Sequence, residues 1–243
     1  MATRVGSPIQ TGAPSSSFLT TIATSASIDY QVGDFVLAFA RCNAPTTETI
    51  SGVALTSGGS LTSIGSPINV SGATTVSAWY KVMAAAVTGD TATATFSTSA
   101  NYRGLDVVVY RPGSGGTLSL DGSPGTATTA YGPTTITTSS INTTGGGVLC
   151  AFVGGTYNDF NTPGPTVSSG YTKIGTDTLL SAIAEKFPLS SLSSESVTWT
   201  YSSGNGMSKA VAYDVAIKET AATIYEFASF NRGVGRGIAR GIA

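Results

Sequence analysis

Thr93-Ala94-Thr95-Phe96-Ser97 and Thr198-Trp199-Thr200-Tyr201-Ser202 decide how this chain folds. In both, threonine alternates with an apolar residue. Successive side chains of a β-strand point to opposite faces, so each stretch presents one hydroxyl face and one apolar face. The first alternation begins earlier, with Thr91, Thr93 and Thr95 on one side and Ala92, Ala94 and Phe96 on the other. Around the second, Val197, Trp199 and Tyr201 share the apolar side. Both read as half-buried strands, and their likeness at a separation of 105 residues points to an internal repeat.

Working outward, three more pairs occur in the same order. Thr20-Thr21-Ile22-Ala23-Thr24-Ser25 is echoed by Thr134-Thr135-Ile136-Thr137-Thr138-Ser139. Val36-Leu37-Ala38-Phe39 matches Leu149-Cys150-Ala151-Phe152, and Leu61-Thr62-Ser63-Ile64-Gly65 matches Tyr171-Thr172-Lys173-Ile174-Gly175. The offset drifts from 114 to 105, as it does when loops differ in length. Further strands are predicted at 35–41, 76–82, 105–110, 148–153 and 210–217, between clusters of Gly, Ser, Asn and Pro. The fold class is all-β: a jelly-roll-like antiparallel β-sandwich over 1–220, with pseudo-repeats at about 18–111 and 132–218, and a separate tail at 221–243. Each half would close as a small sandwich of its own, or the two would interleave in one jelly roll. The connection from Pro112 to Pro133 favours the single domain, because Leu118, Leu120 and Tyr131 suit a strand-bearing link.

Composition agrees with a folded β protein. Charged residues make up 10% of the 243 and hydrophobic ones 41%, against roughly a quarter charged in an average soluble protein. Disorder would need the opposite balance. Ser and Thr hydrate the surface without charge, and branched Thr suits a pleated strand. A net charge of −1 gives the whole protein no electrostatic pull toward nucleic acid or a membrane. No stretch approaches eighteen consecutive apolar residues, and Met1 to Gln10 lacks the basic and apolar parts of a secretory signal. Synthesis in a cytoplasm is the expectation.

Catalytic signatures are sparse. The chain has no histidine, which removes the commonest general base and any Ser-His-Asp triad. Cys42 and Cys150 alone make no zinc site and read as buried free thiols on strands, with a disulfide as the alternative. No Asp-x-Asp-x-Asp-Gly calcium loop and no Gly-x-x-x-x-Gly-Lys phosphate cradle occurs, so neither metal nor cofactor is expected. The carboxylates are scattered singly, which leaves a glycosidase-type pair as a distant third reading. Trp79 and Trp199 both fall on strand patterns and read as core; a partly exposed one would suit stacking on a sugar. For a glycan site the loop around Tyr157, Asn158, Asp159 and Phe160 comes first, since it joins aromatic platforms to amides and a carboxylate. An ordinary polar loop closed by Pro163 and Pro165 is the plainer alternative.

From Ala221 the composition changes. Tyr225, Phe227 and Phe230 lie close together, and the chain ends in three units: Arg232-Gly233-Val234-Gly235, Arg236-Gly237-Ile238-Ala239 and Arg240-Gly241-Ile242-Ala243. As a helix or a strand the segment offers a small-residue face and a face of Arg with Val or Ile. A frayed terminus is one reading. The other is an anchor that orders between partner subunits, burying Tyr225, Phe227, Phe230, Val234, Ile238 and Ile242. Arg232, Arg236 and Arg240 would then meet partner carboxylates. Three arginines without interleaved aromatics give too few phosphate contacts for tight nucleic-acid binding.

The order Gly33-Asp34 to Phe39, Trp79 to Val82, Thr93 to Ser97 and Val107 to Tyr110, then Leu149 to Phe152 and Tyr171 to Gly175, resembles a family of bacteriophage virion and bacterial surface proteins. The resemblance spans about residues 18–218 and rests on strand patterning. It departs in the loop Thr56 to Thr62, which lacks the family's Trp and Pro. It implies a jelly-roll-like sandwich used for assembly or attachment, with no catalytic residues to carry over. The expectation is a non-enzymatic structural protein on the outside of a phage particle: a capsid decoration, head fibre or tail-associated subunit. It would be held by its tail to other virion proteins or to symmetry mates in a closed homo-oligomer such as a trimer. The rival expectation is a receptor- or glycan-binding adhesin module facing a host surface glycan.

Overall fold

A computed structural model describes residues 1–13, 19–43, 49–70, 74–129, 134–155, 164–175, 181–201 and 209–221. Among them are twenty β-strands and no helix. The first half contains β1 (Thr3–Arg4), β2 (Ile9–Ala13), β3 (Leu19–Ala23), β4 (Ile28–Tyr30), β5 (Phe35–Asn43) and β6 (Ile50–Leu55). It continues with β7 (Gly59–Ser60), β8 (Thr62–Val70), β9 (Thr74–Val82), β10 (Val87–Asp90) and β11 (Ala92–Arg111). The second half contains β12 (Thr117–Leu120), β13 (Gly125–Thr128), β14 (Thr135–Thr137), β15 (Gly147–Gly155) and β16 (Thr166–Val167). It ends with β17 (Thr172–Ile174), β18 (Ser181–Lys186), β19 (Thr198–Thr200) and β20 (Ala210–Thr220). The pairings named below are all antiparallel.

The halves are wired alike. In the first, β5 lies between β9 and the later part of β11, with β8 beyond β9. In the second, β15 lies between β18 and β20, with β17 beyond β18. The outer sheet of each half is built on the strand with alternating threonines. The early part of β11 pairs with β3 and β6, and β19 pairs with β14 and β16. Two strands predicted separately, at 91–97 and 105–110, are therefore one strand that crosses from the outer to the inner sheet. Its register slips between Thr95 and Ala100 and again between Asn101 and Gly104. Tyr102, at φ 47°, takes the left-handed conformation at this corner.

The repeat also begins earlier than the sequence suggests. β1 and β2 pair with the later part of β11, as β12 and β13 pair with β20. The connection after Pro112 is thus the opening of the second repeat. Interleaving of the halves, preferred from the sequence, is not what forms: every described ladder stays within its own half. The hydrophobic pattern is compatible with either arrangement, and the pairings decide between them. β5 and β15 are apolar at nearly every position and buried on both faces, so neither can face solvent on one side.

Three apolar layers follow from that pattern. Val36, Ala38 and Ala40 of β5 join Val53, Ala94, Phe96 and Val107 between the two sheets of the first half. Leu149, Ala151 and Val153 of β15 join Ile136, Ala184 and Trp199 between those of the second. The opposite faces, Phe35, Leu37 and Phe39 against Val148, Cys150 and Phe152, meet in a central layer. The molecule is thus four sheets deep, two sandwiches back to back. Phe39 and Phe152, equivalent in the repeat, stack on each other with ring centroids 4.6 Å apart and planes 10° from parallel. Full burial of side chains of this size contributes about 1.5–3 kcal/mol each. Cys42 and Cys150 are buried thiols in different layers with no disulfide between them, as expected for thiols that act as small apolar residues.

Candidate functional site

The residues singled out for a glycan loop, Tyr157, Asn158, Asp159 and Phe160, lie outside the described residues. So do those of the anchor: Tyr225, Phe227, Phe230, Arg232, Val234, Arg236, Ile238, Arg240 and Ile242. Among the described residues the candidate features are buried ionisable groups and clefts.

The buried carboxylates are engaged in holding the fold. Asp34 takes a two-pronged ion pair from Arg111, at 2.9 and 2.7 Å, and a hydrogen bond from the Gln31 amide. Asp90 accepts the Tyr30 hydroxyl at 2.5 Å together with the amides of Ser57, Gly58 and Thr91. Burial alone would raise its pKa, but these donors outweigh it and hold the carboxyl below the usual range. Asp121 accepts both the amide and the hydroxyl of Thr144, which fixes a turn. Asp214 accepts Tyr171 at 2.7 Å inside the second sandwich, and burial pushes its carboxyl up to about 7.

One polar group bridges the halves in the central layer. Arg41 and Asp106 are both fully buried, with Nε 3.8 Å from Oδ2, and Ser181 of the second half donates to the same oxygen at 2.8 Å. Burial lowers the Arg41 guanidinium to about 10 and raises the Asp106 carboxyl to about 6, each opposed by the other's charge. Room for the guanidinium comes from Gly104, where a methyl group would overlap it, and from Gly154, where an added Cβ would sit 3.1 Å from Arg41 Cδ. No group of three His, Cys, Asp or Glu side chains that would hold a metal occurs among the described residues.

The two tryptophans part company. Trp199 is fully buried in the second sandwich, as expected of a core residue. Trp79, on β9, is only half-buried: it packs against the core of the first sandwich and forms part of the lining of an open groove of about 380 Å3. The walls are Ser51, Gly52 and Ala54 of β6, Ser60, and Thr95 of β11. Trp79 Nε1 donates to Ser77 Oγ at 2.7 Å, which fixes the indole plane from below. Lys81 Nζ donates to the carbonyls of Gly58 and Ser60, at 2.6 and 3.2 Å, and ties the β7 turn to the wall. The lining holds one aromatic face and three hydroxyls, and none of its side chains is ionisable. The sequence hint was available: the repeat places Ala184 where the first half has Trp79, so this indole is not demanded by the shared core.

Comparison with protein-family models, curated proteins and solved structures finds no match to this chain. A role therefore has to be argued from the residues.

Proposed function

We propose that the chain is a non-enzymatic structural protein on the exterior of a bacteriophage particle, as a capsid decoration, head fibre or tail-associated subunit. Residues 221–243 hold it to the particle or to its symmetry mates. The observation that carries this reading is how the body is fastened where that segment begins. Glu219, near the end of β20, accepts the Ala2 amide at 2.6 Å and the Gly113 amide at 2.5 Å. The first strand, the junction of the repeats and the root of the tail are tied together at one carboxylate. Above that point, a core continuous across both halves makes the two sandwiches one stiff body. A stiff body fastened where the tail segment starts is what a displayed subunit needs. The engagement of the buried carboxylates in structural contacts also favours a non-catalytic role.

Attachment would come from burying Tyr225, Phe227, Phe230 and the Val and Ile side chains beside the arginines, at about 25 cal/mol per Å2 of apolar area before ordering costs. Deleting residues 221–243 is expected to leave a soluble body with its melting transition intact that no longer joins particles, read by gel analysis of purified particles. Unchanged incorporation would overturn the anchor. The rival reading, an adhesin module, is favoured by one observation, the Trp79 groove.

A further inference from the structure

We infer that the Trp79 groove is a binding site for a neutral glycan, with the indole as the platform for one sugar ring and Ser51, Ser60 and Thr95 as hydroxyl partners at the rim. Three observations converge. First, the indole is partly exposed, although the repeat shows that an indole can fill this layer while fully covered. The second sandwich, wired identically, fills its core with Trp199 from the outer sheet and carries Ala184 at the place of Trp79. Part of the ring fills the layer beside Ala94, but the part left in water forgoes apolar burial at about 25 cal/mol per Å2.

Second, the ring is held in one orientation. Its N–H is spent on Ser77, and the Lys81 bonds hold the facing wall, so no rotamer freedom has to be lost on binding. The N–H being spent also means that recognition falls to the ring face, which suits the axial C–H face of a pyranose.

Third, the lining selects the ligand class. Shallow sites that join an aromatic face to a few placed hydroxyls are suited to polyols, and with no ionisable side chain in the lining nothing favours an acidic or basic ligand. The groove is open and Gly52 leaves its wall low, so an oligosaccharide can run through it and need not end in it. The inference rests on the groove and not on particle attachment: a chain that binds sugar but fails to join particles would leave it intact.

The experiment uses the fact that the chain has two tryptophans, one of them fully buried. Acrylamide quenching then reports Trp79, with Trp199 as an internal reference. The full-length chain is titrated with cellotetraose, maltotetraose and chitotetraose, each to 10 mM (on the order of the weakest specific affinities). At least one is expected to protect Trp79 saturably from quenching, and Trp79→Ala is expected to weaken binding at least 10-fold by calorimetry. In case Trp79→Ala perturbs the fold, Gly52→Gln blocks the groove with the indole in place. A Cβ at Gly52 meets no atom within 4 Å, and the position is not at positive φ, so the variant should fold normally. Protection that vanishes in Gly52→Gln supports the site. Protection by none of the three sugars overturns it. So does binding that survives both groove variants, or that is lost only in Tyr157→Ala or Phe160→Ala.

Discussion

The two halves of this molecule solve one packing problem with the pieces exchanged. In the first, the outer sheet contributes small Ala94 and the inner sheet large Trp79; in the second, the outer sheet contributes Trp199 and the inner sheet small Ala184. Both arrangements put one indole in the layer between the sheets, which is how cores keep volume while changing shape. They differ in what is left over. The indole entering from the outer sheet is covered completely, whereas the one entering from the inner sheet stays partly exposed and lines a groove. Duplicated architecture was thus kept for stability in one copy and opened in the other.

The central layer shows the same asymmetry. Two residues beyond the stacked Phe39 and Phe152, the first half carries Arg41 and the second Gly154. Opposite Phe39 stands Asp106, and opposite Phe152 stands Tyr213. Arginine on both sides would set two buried guanidinium groups against each other, and glycine on both sides would leave a void. Each half is therefore complementary to the other and not to itself.

The comparison is broken most directly at the tryptophans. Trp199→Ala is expected to cost about 3–5 kcal/mol in urea unfolding, the range for a large side chain removed from a core. Trp79→Ala is expected to cost about half as much or less. Equal losses would mean that the half-exposed indole is structural after all. Next comes the central layer. Arg41→Ala leaves Asp106 buried without its cation and should cost about 3 kcal/mol, while Arg41→Met paired with Asp106→Leu should recover most of that. If the double variant is no better than the single one, the pair is needed for more than mutual neutralisation.

The smallest effect is on pH dependence. Asp106 and Asp214 are raised by burial to about 6 and about 7, above the roughly 3.9 of an unfolded aspartate. Between those values the folded state holds more protons than the unfolded one. Stability is then fully present below about pH 4 and falls as pH rises through about 6 and about 7. Asp90, held low, acts in the opposite sense only at more acidic pH. Asp214→Asn keeps the partner of Tyr171 and should flatten the slope between pH 4 and 8 in thermal melts. A slope that is unchanged in this variant would place the titration elsewhere.

Much of the architecture was legible because its determinants are local. Alternating Thr with Ala, Phe and Trp marked the outer strands, and unbroken apolar runs at 35–40 and 148–153 marked the strands buried on both faces. The opening strands of each repeat were not legible. Ile9–Ala13 and Gly125–Thr128 share a place on β11 and β20 but no side-chain pattern, since edge positions ask little of their side chains. Nor was the mode of joining: an apolar strand buried on both faces fits an interleaved sheet as well as a stacked one, and only long-range pairing distinguishes them. Trp79 was read as core because alternation reveals which face a residue occupies and not how far that face extends before the neighbouring sheet ends.

The position of β20 has a mechanical consequence. It is held along its length by β15 on one side and by β12 and β13 on the other, and Ala221, where the tail segment starts, follows directly beyond its end. A pull on the tail along the strand loads those ladders together, in shear, so that many hydrogen bonds must fail at once. A strand at a sheet edge, peeled from one end, would give way one bond at a time. Resistance to force is set by the rate of unfolding and not by its equilibrium. A tail acting as the proposed tether would thus pull on a central strand, and its body would stay attached under drag.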